Sequence, residues 1–483
     1  MLIDFKQKKK KNKEFINQGK IISIMISNLF FSKILFLCSL FLSCLGKTVL
    51  FLHDNASDSE LTDYSTFINY LTQERNYDLT LKTFKDDSLS LLSDDLQVNK
   101  FDEIIIGPIT STKLKNFNEG QLLQFYENGG NLLILGSSTQ SNNNPIRKFL
   151  NNIGIFPSPK GYITEDFEDS NTSDLIISDG SLFLNDYIFE NKNNDKSITL
   201  KDASSALIDT NEMIFPIVRQ SDYMKNSNKD NTWSLSKQGY LAVAFQNLKN
   251  NRIAWIGSDS LITNEEIEEK DNFEFIKEIT KWTFQEKSIL NVLGFDHYQL
   301  VEEEYYTFDE EKQQNVLSTR EVKVTYGEEP YKVKDFVNVD LFLQNLKDVD
   351  NSGNAIYEPF FTDDIQFELR MIDPYYRLNL NLDEENSTHY KTGKFALPDH
   401  HGVFTFNIKY QRKGLSYIDV KDVKAIRNLA HTEYPRSFEI RNSWVYMSTI
   451  FSVIFLWIVF VILFIITSKR VNTTIVKADK KKN

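Results

Sequence analysis

Cysteine is nearly absent: two in 483 residues, Cys38 and Cys44, both in the apolar segment near the N-terminus. The rest of the chain has no thiol for a nucleophile, a thiolate zinc site or disulfide exchange. It has no disulfide staples either, so its domains must hold together by cores alone. Phosphate-cradling glycine loops are missing. Neither G-x-G-x-x-G nor G-x-x-x-x-G-K-[ST] follows the first apolar run, whose turn reads His53-Asp54-Asn55-Ala56-Ser57, which excludes a nucleotide loop there. Metal-ligand spacing is equally thin. His400 and His401 are adjacent, as are Asp363 and Asp364, and neighbours in a strand face opposite sides. No cofactor and no metal are expected. Basic charge is scarce in the body: residues 1–46 and 468–483 hold 14 of the 55 Lys and Arg but only 3 of the 67 Asp and Glu, leaving 41 basic against 64 acidic residues, a net −23. A surface of that sign repels phosphate backbones and argues against nucleic acid, besides keeping the chain soluble.

Long apolar runs are present at both ends. Residues 444–467 carry no charge and no proline, and about 20 apolar residues suffice to cross a bilayer. They are expected to form a transmembrane helix. Lys469, Arg470 and Lys477 follow it, and a Lys and Arg excess marks the cytoplasmic side. Residues 468–483 are thus expected to be a cytosolic tail. Residues 27–46 are apolar, short for a span and end in small residues, so residues 1–46 read as a secretory signal peptide, with Met25 as an alternative start. The competing reading is an uncleaved anchor. Either places the body between them in the lumen. Lys480 and Lys481, fourth and third from the end, fit the dilysine retrieval signal of type I endoplasmic reticulum proteins.

Between 47 and 287 short apolar runs alternate with helical periodicity, the pattern of an α/β domain. Strands are expected at 48–53, 77–84, 101–108, 131–135 and 252–257, with helices at 60–75, 119–128, from about 145, and at 272–284. Gly129-Gly130 is a suitable stop for the second helix. Residues 158–250 read as strands of undetermined order. From 288 to 440 strict alternation takes over, as in 321–326, 337–343, 365–372 and 403–410. The fold expected is an α/β N-terminal luminal domain, Rossmann-like with a mostly parallel sheet, then β-sandwich material in one or two modules and one C-terminal transmembrane helix.

Open α/β sheets place ligands outside the C-terminal ends of their strands, here His53, Asp54, Gly107, Ser137, Ser138, Ser258 and Asp259. A Ser, His, Asp set can be drawn from these. A nucleophile elbow, however, wants Gly-x-Ser-x-Gly, and Gly136-Ser137-Ser138-Thr139 lacks its second glycine. Strand-end caps are the plainer reading, and no catalytic residue is assigned. Acceptors for N-linked glycosylation, Asn-x-Ser/Thr, stand at Asn55, Asn171 and Asn386, while Asn472 falls on the cytosolic side.

Residues 363–416 contain D-D-I-Q-F-E-L-R-M-I-D-P-Y-Y-R and L-P-D-H-H-G-V-F-T-F-N-I-K-Y-Q-R-K-G-L-S-Y-I. With T-V-L-F-L-H-D, F-D-E-I-I-I-G-P and Y-E-N-G-G-N-L-L-I-L-G-S-S, they closely resemble the oligosaccharyltransferase 48 kDa subunit family over nearly the whole chain. Residues 158–250, with Asn and Lys insertions, depart from that pattern. The resemblance implies a non-catalytic subunit of the endoplasmic reticulum complex that moves an oligosaccharide from dolichol diphosphate onto Asn of Asn-x-Ser/Thr. Its implied partners are a multi-spanning catalytic subunit, ribophorin-type subunits and small membrane subunits. The α/β domain is similar to a class named for intraflagellar transport and glutamine amidotransferase relatives, and its sheet end, at Asp54 and Ser137, is a candidate dock for the dolichol-linked oligosaccharide. Two other readings stay open: a type I cargo receptor or adhesion protein of the early secretory pathway, and an independent luminal hydrolase.

Overall fold

The computed structural model describes residues 46–479 apart from 55–60, 85, 87, 94–97, 108–117, 140–143, 168–173, 192, 230, 310–313, 351–352, 385 and 435–441. The signal segment, Asn55, Asn171, Lys480 and Lys481 lie outside the described residues.

The first strand, β1 (Thr48–His53), sets the architecture. Val49 and Phe51 enter one core and Leu50 and Leu52 another, all four fully buried. A strand apolar on both faces belongs inside a sheet covered on both sides. β2 (Asp78–Thr83) and β3 (Glu103–Ile106) flank it in parallel, and β4 (Asn131–Leu135) follows β3. The short strands β5 (Ile155–Pro157), β6 (Ala206–Ile208), β7 (Ile214–Arg219) and β8 (Tyr240–Gln246) come before β9 (Arg252–Ile256) in the chain. In space β9 lies parallel beside β4, and the sheet runs β2-β1-β3-β4-β9-β8-β6-β5, with β7 on β8. It is parallel through β9 and antiparallel beyond.

Helices cover both faces. α1 (Glu119–Glu127) and α2 (Pro145–Ile153) lie on one. α2 is bounded as its ends predict: Asn144 Oδ1 accepts from Ile146 N at 2.9 Å, Pro145 opens it, and Gly154 ends it at φ 93°. α3 (Asn272–Thr283) covers the other face with Phe275, Ile276, Ile279 and Trp282. The helix expected at 60–75 is described from Leu61 as a 3₁₀ turn, an α turn and a π turn, Tyr70–Glu74. The widened last turn leaves Arg75 paired with Glu286 and donating to Val349 O at 2.7 Å, in the next unit.

That unit is an antiparallel sandwich. β10 (Ile289–Asp309) pairs with β11 (Gln314–Thr325) and β12 (Phe336–Val349). The facing sheet runs through β13 (Gln366–Arg370), β14 (Pro374–Asn379), β15 (Gly402–Tyr410) and β16 (Ile418–Ile426) in the order β14-β13-β15-β16. Val337, Val339, Leu341 and Leu343 of one sheet meet Phe367, Leu369, Phe404, Phe406 and Ile408 of the other. The two units are docked by the loop 413–417. Trp282 Nε1 donates to Gly414 O at 2.8 Å, Gln246 Nε2 to Leu415 O at 2.8 Å, and Tyr417 N to Asn250 Oδ1 at 2.6 Å. α4 (Ser443–Asp479) ends the described chain. Its part Ser443–Ser468, mean hydropathy 3.1 with none of it buried by protein, is long and apolar enough to cross a membrane.

Candidate functional site

The sheet has two ends, and they differ in what they offer. At the C-terminal end of its parallel strands, Asp54 follows β1 and is half-buried, whereas Ser137 follows β4 and is 6% exposed. β3 lies between the two strands, which sets them about 10 Å apart at ordinary strand spacing. The Ser137 hydroxyl is bonded to the Asp259 carboxylate and lies 3.1 Å from Thr139 Oγ1. Burial raises the pKa of Asp259. Ser258 is fully buried and donates to Lys201 O at 2.6 Å, and Ser138 N bonds to Asp202 O at 3.4 Å. These serines close turns at strand ends. Residues 108–117 and 140–143, which continue from β3 and the β4 turn, lie outside the described residues.

The opposite end holds a cavity of about 700 Å³ where β1, β3 and β4 begin, a place the sequence did not single out. Its walls include Lys47, Asn99, Phe101, Glu103, Asn131 and Gln285. Glu103 is the first residue of β3 and is 3% exposed. Its Oε1 accepts from Asn131 Nδ2 at 3.3 Å and from Lys47 Nζ at 3.4 Å, and Lys47 also donates to Phe284 O. Its Oε2 has no hydrogen-bond partner, nor has the buried Oδ1 of Asn99. Neighbouring Asp102 is occupied by Thr48, whose N and Oγ1 donate to Oδ2 at 2.9 and 3.0 Å.

Burial pushes the Glu103 carboxyl up to about 7, against the opposing pull of Lys47 and Asn131. The folded state thus holds this proton more tightly than the unfolded chain does. The stability it confers is complete below the ordinary carboxylate range and is lost as pH rises from about 4.5 through about 7. Glu103→Gln is expected to match the parent at pH 4.5 and to exceed it at pH 8 by up to about 3 kcal/mol, at 1.36 kcal/mol per pKa unit. Urea unfolding of the full chain at both pH values checks this, and a variant equally offset at both would contradict it.

Among the described residues no three His, Cys, Asp or Glu side chains group as metal ligands. His400 Nδ1 meets Tyr375 Oη at 3.0 Å, and Asp364 is held by Arg412 at 2.6 Å. The acceptor Asn386 is exposed on a turn, its Oδ1 taking bonds from Thr388 N and Oγ1 at 3.1 and 2.9 Å.

An α/β sandwich keyed into an antiparallel sandwich and continued by a bare apolar helix defines a membrane-attached protein of two docked globular units. The family model "OST48, N-terminal domain" matches residues 40–286 and "OST48 middle domain" matches residues 312–468, and the chain belongs to the OST48 family. It is 38% identical over 425 residues to dolichyl-diphosphooligosaccharide-protein glycosyltransferase subunit WBP1 of Saccharomyces cerevisiae, covering 87% of this chain and 91% of that one. Subunit wbp1 of Schizosaccharomyces pombe is 27% identical over 445 residues, 87% of this chain and 92% of its own. The glycosyltransferase 48 kDa subunit of Danio rerio is 26% identical over 445 residues, 87% and 91% of the two chains. The solved N-terminal domain of mmIFT52 aligns with 49% of this chain and 97% of its own at 13% identity and a TM-score of 0.36, too distant to bear weight.

Proposed function

We infer that the chain is an accessory subunit of the oligosaccharyltransferase, supporting transfer of a dolichol-diphosphate-linked oligosaccharide to Asn in Asn-x-Ser/Thr of nascent proteins. The observation that carries this is the family match, which runs through both globular units and into the apolar helix. The complex is a glycosyltransferase; this chain contributes architecture, and the transfer chemistry belongs to a multi-spanning catalytic partner. Further partners of the ribophorin type and small membrane subunits contact the globular units and α4. The protein is type I in the endoplasmic reticulum membrane, with residues 1–46 a removed signal, 47–287 and 288–440 luminal, 444–467 the span, and 468–483 a cytosolic tail ending in the retrieval lysines Lys480 and Lys481. The basic residues after the span support that orientation.

Mild-detergent purification of the tagged chain, with identification of what co-purifies and a glycan-transfer assay on the eluate, tests the reading. Recovery of a multi-spanning glycosyltransferase with Asn-directed transfer is the expected result. A lone protein without transfer would return the cargo-receptor and hydrolase readings. Within the same proposal the sheet end at Asp54 and Ser137 docks the donor glycan. Replacing both and finding donor affinity unchanged in that eluate would remove this part alone.

A further inference from the structure

One end of the sheet β14-β13-β15-β16 breaks the rule that its apolar side chains point inward. β13 and β14 are joined by a turn through Met371, Ile372 and Asp373, and the pairing sets Arg370 of β13 against Thr405 of β15, and Gly402 of β15 against Ile426 of β16. Met371 Cε lies 2.6 Å from where a Cβ on Gly402 would stand, so the turn and the start of β15 form one projecting tip. Inside the sandwich Phe404 and Phe406 are fully buried, but at the tip Ile372 is 85% exposed, Val403 57%, Met371 46% and Tyr375 43%. Exposed apolar side chains scattered singly are ordinary, whereas a group of them on one projection marks a contact surface.

The chain leaves the sandwich from this same end. β16 finishes at Ile426, after which Arg427 N donates to Tyr331 O at 2.9 Å and Arg427 O accepts from Val333 N at 3.0 Å. The Arg427 guanidinium holds both carboxylate oxygens of Glu433, at 2.7 and 2.9 Å, and Lys332 Nζ stands 3.2 Å from the same carboxylate. At Glu433 the chain is therefore still tied to the tip end, beside an exposed Tyr434. α4 starts at Ser443, ten positions on, a reach of at most about 36 Å for extended chain. The far end of the nine-residue β15 lies about 27 Å from the tip at the ordinary rise per residue. With α4 in a bilayer, the tip is thus the end of the sandwich tethered nearest to it, and this tether, more than the apolar area, selects a lipid surface over a protein partner. The composition suits that place. Met371, Ile372 and Val403 are apolar, Tyr375 and Tyr434 carry amphipathic rings of the kind enriched at headgroup level, and the exposed charge of Asp373 limits the depth of entry.

We propose that this tip enters the headgroup and upper acyl region of the phospholipid bilayer that α4 crosses, a second membrane contact that fixes the tilt of the sandwich over the span. The proposal rests on α4 being a span, and holds whichever partners the chain has and whichever way α4 runs.

Depth measurement tests it. Nitroxide labels are placed on Ile372→Cys, on Val403→Cys and, as the control, on Phe361→Cys, each in a chain carrying Cys38→Ser and Cys44→Ser. Phe361 is 66% exposed and follows Phe360, which packs on Tyr410 at the far end of β15. The full-length chain, purified in mild detergent with whatever accompanies it, is reconstituted in phosphatidylcholine nanodiscs. Collision of each label with oxygen, which concentrates among acyl chains, is compared with collision with a water-soluble nickel chelate. The expected result is an oxygen-to-nickel ratio severalfold higher at 372 and 403 than at 361. Adding Ile372→Asp to the Val403→Cys chain is expected to bring the ratio at 403 down to that at 361, with thermal unfolding unchanged because the substituted side chain is exposed. Equal ratios at 372 and 361 would put the tip in water and overturn the proposal. A label at 372 shielded from both reagents would overturn it too, by showing that a protein partner covers the tip.

Discussion

Arg252→Leu is expected to destabilise the folded chain by about 4–6 kcal/mol, because it removes three hydrogen bonds from a charged donor at about 1.5–3 kcal/mol each and a stacked cation, although Trp282 O and Ser288 O keep their bonds from Gln285 N and Ser416 N. Arg252 opens β9 and is fully buried. Its Nη1 donates to Trp282 O and Lys287 O, and its Nη2 to Ser288 O, all at 2.8 Å. The guanidinium lies 4.7 Å from the centre of the Trp282 ring. One side chain thereby fixes the end of α3, the connection into the sandwich and the first residues of β10. Burial pulls its pKa down to about 9, so it remains charged at neutral pH. With total stabilities of about 5–15 kcal/mol, a loss of this size leaves a domain at the edge of unfolding. Arg252→Lys keeps the charge, but a compact ammonium cannot span three carbonyls in a fork, so an intermediate loss of about 2–3 kcal/mol is expected. Urea midpoints of the three full-length chains in detergent decide it. A Leu variant within about 1 kcal/mol of the parent would mean that water serves these carbonyls as well as the guanidinium does.

Arg252 also shows where sequence reading reaches its limit. The run from Arg252 reads as a buried strand because Ile253, Ala254, Trp255 and Ile256 are apolar on both faces, and β1, β3 and β4 are legible for the same reason. The partners that hold a buried arginine come from residues 282–288, and no local pattern reports them. Glu103 was hidden likewise: it reads as the first residue of a strand, and its meaning depends on Lys47, 56 positions earlier, and on Asn131. An acid directly before Ile104-Ile105-Ile106 was the one available signal. α1 could be placed because Gly129, at φ 105°, stops it, and α3 because its apolar spacing is regular. Residues 158–250 gave no order since their strands pair across the chain, Ile163–Asp166 with Met224–Ser227 and Asp174–Ile177 with Ile198–Lys201. The expectation of a largely parallel sheet was drawn from the helix-linked half, which is parallel. The antiparallel half is built from β5 to β8, inside that unordered stretch or beside it. At the strand ends, the proximity of Ser137 and Asp259 was foreseeable from the parallel β4–β9 pairing, but their mutual bond was not.

Gly414→Val is expected to cost about 3–5 kcal/mol and to part the two units while each keeps its own core. Gly414 has φ 94°, a conformation that costs about 1–2 kcal/mol for a residue with a side chain and more when that residue is β-branched. A Cβ there would lie 2.5 Å from Asn185 Oδ1 and 2.7 Å from Nδ2, so Asn185 has to move. Moving it breaks its bonds to Lys413 O at 3.1 Å and from the N atoms of Tyr187 and Ile188 at 3.2 and 3.3 Å. The loop then loses its seat, and with it go Trp282 Nε1 to Gly414 O, Gln246 Nε2 to Leu415 O and Tyr417 N to Asn250 Oδ1. Trp282→Phe removes the first of these bonds together with ring packing against Arg252 and Phe215, a cost that both Trp282→Phe chains share and that therefore cancels in the cycle. If the loop acts as one key, the double variant should cost less than the two single changes together by about 1 kcal/mol or more, since the second change deletes a bond the first has already broken. Strict additivity would show instead that each bond holds independently. Separation of the units, rather than global unfolding, should appear as new protease cleavage near residues 285–290 with both fragments still folded. In the complex, partners that read both units at once would then be lost from the purification, whereas partners held by α4 alone would stay.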